Sequence, residues 1–159
     1  MFALSLPPFE ANITNKNNQP QIFDILRRRF VALTPEEWVR QHFIHFLINY
    51  KGYPSSLMAN EISIQLNGMT RRCDSVLYAS DGTPRMIIEY KSPNIKINQK
   101  VFSQIMSYNH VLRVPYLILS NGIEHFCCHI DYATQKIVFL KEIPDYSTLK
   151  TGRGHFPLH

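Results

Sequence analysis

The sequence lacks the features that would place it in a membrane or on a disulfide scaffold. It has three cysteines in 159 residues, two of them adjacent (Cys127 and Cys128). That is no disulfide framework, and it fits a reducing compartment. No apolar run approaches the roughly 20 residues that a membrane helix needs, and mean hydropathy is −0.17. Residues 1–9 have no positively charged start and contain Pro7-Pro8, so they read as neither signal nor transit peptide, and the cytoplasm is the expected compartment. Acidic residues are the minority, 12 against 17 Lys and Arg, giving a net charge of +5 and a pI of about 9.2. This balance favours a polyanionic partner, while the lack of a long apolar run leaves no membrane partner expected. The sequence contains no GxxxxGK[ST] loop, so it carries no P-loop motor of its own. It also has no zinc-finger pattern or recognisable helix-turn-helix to read a DNA sequence.

The hydrophobic fraction of 45% and aromatic fraction of 12% suffice for one full-sized core. Residues 10–21, rich in Asn and Gln, read as a polar, mobile lead-in completing a segment 1–21. One domain is expected over 22–143, and an irregular tail over 144–159. Residues 22–33 suggest two short strands around the basic turn Arg27-Arg28-Arg29. Thr34-Pro35-Glu36-Glu37 opens a helix that runs to about Tyr50, with Thr34 as cap and Pro35 at the first helical position. Gly52 and Pro54 stop it. Three strand-like runs follow, at 61–66, 70–79 and 84–90, separated by Asn67-Gly68 and Asp81-Gly82, which are hairpin signals for an antiparallel meander. A second helix is expected over 97–113, then strands at 116–119, 124–130 and 136–140. The order gives an α/β fold in the broad sense (α+β), with a central mixed sheet flanked by helices.

One charged constellation stands out on this frame. Asp74 lies within the second meander strand, and Glu89 and Lys91 lie at the end of the third. Alternation puts Glu89 and Lys91 on one strand face, and the Asp81-Gly82 turn folds Asp74 beside Glu89. Two carboxylates that close raise each other's pKa unless a cation joins them. A hard ion such as Mg²⁺, with Mn²⁺ as a substitute, suits a site of one or two carboxylates that leaves room for water and phosphate oxygens. The competing reading is a solvated surface cluster, whose ion pairs are worth about 0–1 kcal/mol. Arg27-Arg28-Arg29, Arg71-Arg72, Lys96 and Lys100 are candidate phosphate contacts, and of these Arg72 is favoured because it alternates onto the Asp74 face. His125, Cys127, His129 and Asp131 also share a strand face, but alternate residues diverge by about 7 Å per step, too far to hold one zinc ion unaided.

The sequence Arg72-Cys73-Asp74, followed by Ile87-Ile88-Glu89-Tyr90-Lys91, resembles the D…(D/E)xK signature of PD-(D/E)xK nucleases, with Cys73 where the signature has proline. Gln104-Ile105-Met106-Ser107-Tyr108 resembles the QxxxY motif of RecB-like members. The segments Thr34 to Gln41 and Leu119-Ser120-Asn121-Gly122 resemble the N-terminal nuclease-like domain of type I restriction enzyme R subunits. The resemblance implies a restriction-endonuclease-like αβββαβ core. It implies a Mg²⁺-dependent DNA phosphodiesterase with Asp74 and Glu89 as metal ligands, Lys91 as the catalytic lysine, and Gln104 and Tyr108 beside them. It also implies a motor or specificity subunit as a separate partner, and leaves a homodimer open. Glu37 fits two roles, a third acidic contributor to the metal or the second half of a capping box. Glu61 is a further acidic option. Two rival functions stay open, a nuclease fold that binds DNA or protein without cutting, and a non-nuclease component of a defence or mobile-element system.

Overall fold

The computed structural model describes residues 2–149, with the side chains of Leu66, Tyr108, His110 and Val111 left aside. The chain begins with three strands, β1 (Ile13–Lys16), β2 (Gln19–Asp24) and β3 (Arg29–Ala32), before helix α1 (Pro35–Lys51). Strands β4 (Met58–Leu66), β5 (Met69–Tyr78) and β6 (Pro84–Tyr90) then lead to helix α2 (Gln99–Leu112). Strands β7 (Tyr116–Ser120), β8 (His125–Asp131) and β9 (Lys136–Leu140) follow. The six strands β4 to β9 form one sheet in sequence order, and β1 to β3 form a small separate antiparallel sheet. Every neighbour pair in the large sheet is antiparallel except β6–β7. That pair is parallel because α2 carries the chain back between the two strands.

The middle of the sheet is covered on both faces, which is why β6 and β7 read as continuous apolar runs. Met86, Ile88, Tyr90, Tyr116 and Ile118 pack against Val39, Phe43, Ile44 and Leu47 of α1. The alternate residues Ile87, Leu117 and Leu119 pack with Phe102, Ile105 and Leu112 of α2. The fold is therefore mixed α+β, with a mixed six-stranded sheet between two helices. No helix among the described residues is long and apolar enough to cross a membrane.

The boundaries differ from the sequence reading at both ends. Within the polar lead-in, residues 13–16 form β1, which pairs with β2 from Ile13↔Ile22 to Lys16↔Gln19. Asn17 and Asn18 supply the left-handed turn between them (φ 52° and 60°), a conformation Asn tolerates better than most residues. Local polarity concealed this strand, because all four of its residues are exposed. The tail from Pro144 packs as far as Leu149. The Tyr53 hydroxyl donates to the Pro144 carbonyl at 2.9 Å, the Arg85 Nη2 donates to the Leu149 carbonyl at 2.7 Å, and Leu149 is buried in the α1-side core. The remainder of that tail, residues 150–159, lies outside the described residues.

The N-terminal segment is fastened across α1 to the β7–β8 turn. Trp38 Nε1 donates to the Phe2 carbonyl at 3.0 Å, and the Ser5 amide donates to the Gly122 carbonyl at 2.9 Å. Gly122 has φ +86°, and a Cβ there would meet Leu4 Cδ2 at 2.7 Å. Gly122→Ala thus combines left-handed strain with a close contact, and it should destabilise the protein by about 1–3 kcal/mol. A urea midpoint equal to wild type would contradict this packing.

Candidate active site

Asp74 and Glu89 are brought together by the β5–β6 hairpin. The register runs Leu77↔Met86, Val76↔Ile87, Ser75↔Ile88, and one step further sets Asp74 opposite Glu89. The Tyr90 amide donates to Asp74 Oδ2 at 2.9 Å, so the strand after Glu89 fixes the Asp74 carboxylate. Glu89 is 8% exposed. Burial, the Asp74 charge and a side-chain contact with Asp74 push its pKa up to about 8, against the lowering influence of Arg71 and the Asp74 amide. Arg71 Nη2 lies 2.6 Å from Glu89 Oε1, with both side chains 11% exposed.

The backbone beside Asp74 is irregular. The β4–β5 register passes from Asn60↔Ser75 to Ile62↔Cys73, and between them Glu61 takes φ +53°. Cys73 and Val76, of opposite parity, both lie in the α2-side core. The simple in-out alternation is therefore lost between Cys73 and Ser75, although the β4–β5 register is the same on either side. Arg40 from α1 spans this gap. Its Nη1 donates to the Asp74 carbonyl at 2.8 Å, its Nη2 to Glu61 Oε1 at 2.8 Å, and its Nε and Nη2 to Glu37 at 3.1 and 2.9 Å. Burial works against the Arg40 charge, but Glu37 and Glu61 outweigh it and hold the guanidinium firmly protonated.

A second buried chain of hydrogen bonds continues from this point. Tyr90 OH donates to Ser75 Oγ at 2.9 Å, Ser75 Oγ donates to Asn60 Oδ1 at 2.6 Å, and Asn60 Nδ2 lies 3.1 Å from both Asp24 oxygens. Asp24 also pairs with Arg27 Nε, and Arg27 Nη2 reaches Glu37 Oε1 at 2.7 Å. Burial alone would raise the Asp24 pKa, but Arg27, Asn60 and two backbone amides lower it overall.

The remaining residues singled out from sequence fall in different places. Glu37 accepts on both oxygens from Arg27, Arg40 and Gln41, at 2.7–3.1 Å. The Thr34 hydroxyl does cap the Glu37 amide at 3.0 Å. The Glu37 carboxylate itself turns inward to Arg27 and Arg40 instead of closing a capping box, and the Thr34 amide that such a box would use donates to the Ala32 carbonyl at 3.1 Å. Arg72 is exposed and donates to Glu61 Oε2 at 3.0 Å, so Arg71, not Arg72, reaches the carboxylate pair. Lys91 is half-buried, its amide donates to the Ser120 carbonyl at 2.9 Å, and its ammonium makes no ion pair among the described residues. Gln104 is exposed on α2, and Lys96 and Lys100 are exposed beside the start of that helix. The Tyr108 side chain lies outside the described residues. His125 is taken by Ser120 Oγ at 2.7 Å and Ser5 Oγ at 3.2 Å. No group of three His, Cys, Asp or Glu suited to a metal occurs among the described residues.

Sequence reasoning missed Arg40 and Tyr90, and it offered Arg71 only as a phosphate contact, not as the partner of Glu89. The only sequence signal for Arg40 was its position one turn after Glu37 on a helix otherwise rich in apolar residues. Chemically, the site offers two adjacent carboxylates, one with its pKa raised by burial and by the other's charge. Such a donor pair is suited to a hard divalent cation that completes its shell with water or phosphate oxygens.

Comparison with known proteins agrees with this frame. Residues 35–144 match the family described as Type I restriction enzyme R protein N terminus. No curated protein matches the chain. Among solved structures, a fragment described as an HsdR subunit of a type I restriction enzyme from Vibrio vulnificus YJ016 matches with a TM-score of 0.52 and 21% identity over 75% of this chain. The present chain spans 25% of the length of that structure's chain, and at this identity the likeness concerns the fold.

The raised pKa of Glu89 has a measurable consequence. The folded protein keeps a proton on Glu89 that the unfolded chain releases, so this contribution to stability is present in acid and lost as pH rises towards about 8. Metal-free wild type should therefore lose stability relative to Glu89→Gln between about pH 5 and pH 8. Taking the difference between the two proteins cancels the opposing contribution of His42, His45 and His125, whose pKa values burial lowers. Parallel denaturation midpoints for the two proteins across this range would contradict the burial of Glu89 beside Asp74.

Proposed function

The chain belongs to the family of type I restriction enzyme R protein N-terminal domains, and on that premise we propose that it is a metal-dependent DNA phosphodiesterase of the PD-(D/E)xK type. The observation that carries this reading is the meeting of a half-buried Asp74 with a buried Glu89 at the end of the β5–β6 hairpin, with the Tyr90 amide orienting Asp74. Asp74 and Glu89 would hold Mg²⁺, or Mn²⁺ in its place. The ion, when bound, supplies activation of a water and neutralisation of charge on the phosphoryl oxygens.

The remaining steps belong to the protein's own residues. Lys91, whose ammonium has no competing ion pair among the described residues, follows Glu89 by two positions. Its role is to stabilise the negative charge that develops on the scissile phosphate as water adds in line, or to position that water. The P–O3′ bond then breaks, and the product carries a 5′-phosphate. Arg72, Lys96 and Lys100 present exposed cations to the DNA backbone and fix its register without reading bases. Gln104 and Tyr108, one helical turn apart on α2, contribute polar contacts to the same backbone. A motor or specificity subunit would be supplied by a partner or by another part of an R protein, and the cytoplasm suits that role.

A second reading, a nuclease fold that binds DNA without cutting, draws support from the acidic residues near the pair. Glu37 and Glu61 are consumed by Arg27, Arg40 and Arg72, which leaves two carboxylates for a metal. Two suffice for Mg²⁺, so we favour cleavage.

The test is incubation with plasmid, linear and single-stranded DNA in Mg²⁺ or Mn²⁺, beside Glu89→Ala and Lys91→Ala. Wild type should cut, a chelator should stop it, and each substitution should slow cutting by about a hundredfold or more. Binding without any cutting would select the second reading. Cutting that survives both substitutions would remove the site from consideration.

A further inference from the structure

Arg71 occupies an unusual position. Its guanidinium Nη2 lies 2.6 Å from Glu89 Oε1, and both side chains are almost enclosed. A divalent ion held by Asp74 and Glu89 would want the same oxygen. The two arginines of the site differ in how they are anchored. Arg40 is braced by Glu37, Glu61 and the Asp74 carbonyl, and its position is part of the backbone irregularity it spans. Arg71 sits on the first half of β5, which pairs with β4 at Ile64↔Arg71, whereas β6 meets β5 only from Ser75 onward.

Resting on the metal-dependent reading above, we propose that Arg71 is the built-in counter-cation of the metal-free site, competing with the divalent ion for Glu89 and so setting the metal affinity. Arg71 would offset part of the repulsion between Asp74 and the buried Glu89 in the absence of metal. A guanidinium and a divalent ion on the same nearly enclosed carboxylate would repel one another, so binding of the ion would favour release of Arg71 from Glu89. The released guanidinium is a planar donor suited to a phosphate oxygen. The site is thereby kept neutralised until metal is present, and metal binding is weakened by the work of displacing Arg71.

The test is a calorimetric Mn²⁺ titration, without DNA, of wild type, Arg71→Met, Arg71→Lys and Asp74→Ala. Arg71→Met should bind Mn²⁺ at least about tenfold more tightly than wild type. Arg71→Lys should fall between the two, and Asp74→Ala should not bind. In urea at pH 8, metal-free Arg71→Met should unfold earlier than wild type, and saturating Mn²⁺ should close the gap. Arg71→Lys keeps the charge and carries the comparison if Arg71→Met does not fold. Equal or weaker Mn²⁺ binding by the Arg71 variants, with binding still lost in Asp74→Ala, would overturn the competition and leave the metal site standing. Absence of Mn²⁺ binding in every protein, Arg71→Met included, would overturn both.

Discussion

The meeting of Asp74 with the buried Glu89 is the constraint around which the rest of the structure is arranged. Two carboxylates from adjacent strands repel one another, and burial sharpens the repulsion by removing water. The Glu89 proton affinity rises in response. Around the pair, the Tyr90 amide fixes one oxygen of Asp74, Arg71 offsets the charge of Glu89, and Arg40 takes the Asp74 carbonyl where Glu61 departs from the ladder. We propose that the ligand which offsets this repulsion is a divalent cation, for which two such carboxylates would be suited.

The site is tied to the rest of the fold by a polar network that extends well beyond the two carboxylates. Arg40 joins α1 to β4 and β5 through Glu37, Glu61 and the Asp74 carbonyl. Arg27, at the β2–β3 turn, reaches both Asp24 and Glu37, and Asp24 reaches Asn60 on β4. The small N-terminal sheet precedes the family-matched segment, which begins at residue 35, yet its turn is tied by these polar contacts to the same helix and strand that frame Asp74. Buried polar networks of this kind specify geometry only when all their members are satisfied. Here the Asp24, Asn60, Ser75 and Tyr90 side chains each have a partner.

Much of the fold could be read from local signals. Thr34-Pro35 and Gly52 mark the ends of α1, Asp81-Gly82 marks the β5–β6 hairpin, and the apolar runs of β6 and β7 announce strands covered on both faces. The same hairpin logic set Asp74 beside Glu89, since a two-stranded turn fixes register over a few residues. What stayed hidden depended on distant partners. Glu37 looked like half of a capping box because local sequence contains the cap and not the two arginines that claim the carboxylate. Arg72 looked like the cation facing Asp74 because alternation is assumed along a strand. The irregularity at Glu61 and Asp74 breaks that assumption, and Arg71 reaches Glu89 instead. The strand β1 was hidden for a third reason. An exposed polar strand has no apolar alternation to reveal it, and its pairing to β2 shows only in three dimensions.

The account rests on Asp74 and Glu89 serving together as ligands of one divalent cation. The most direct measurement is a crystal structure of the wild-type protein soaked in Mn²⁺, with data collected at the manganese edge. The account predicts one anomalous peak between the two carboxylates, with the Arg71 guanidinium moved off Glu89. A map without a peak there, or with manganese elsewhere while Arg71 still holds Glu89, would contradict it.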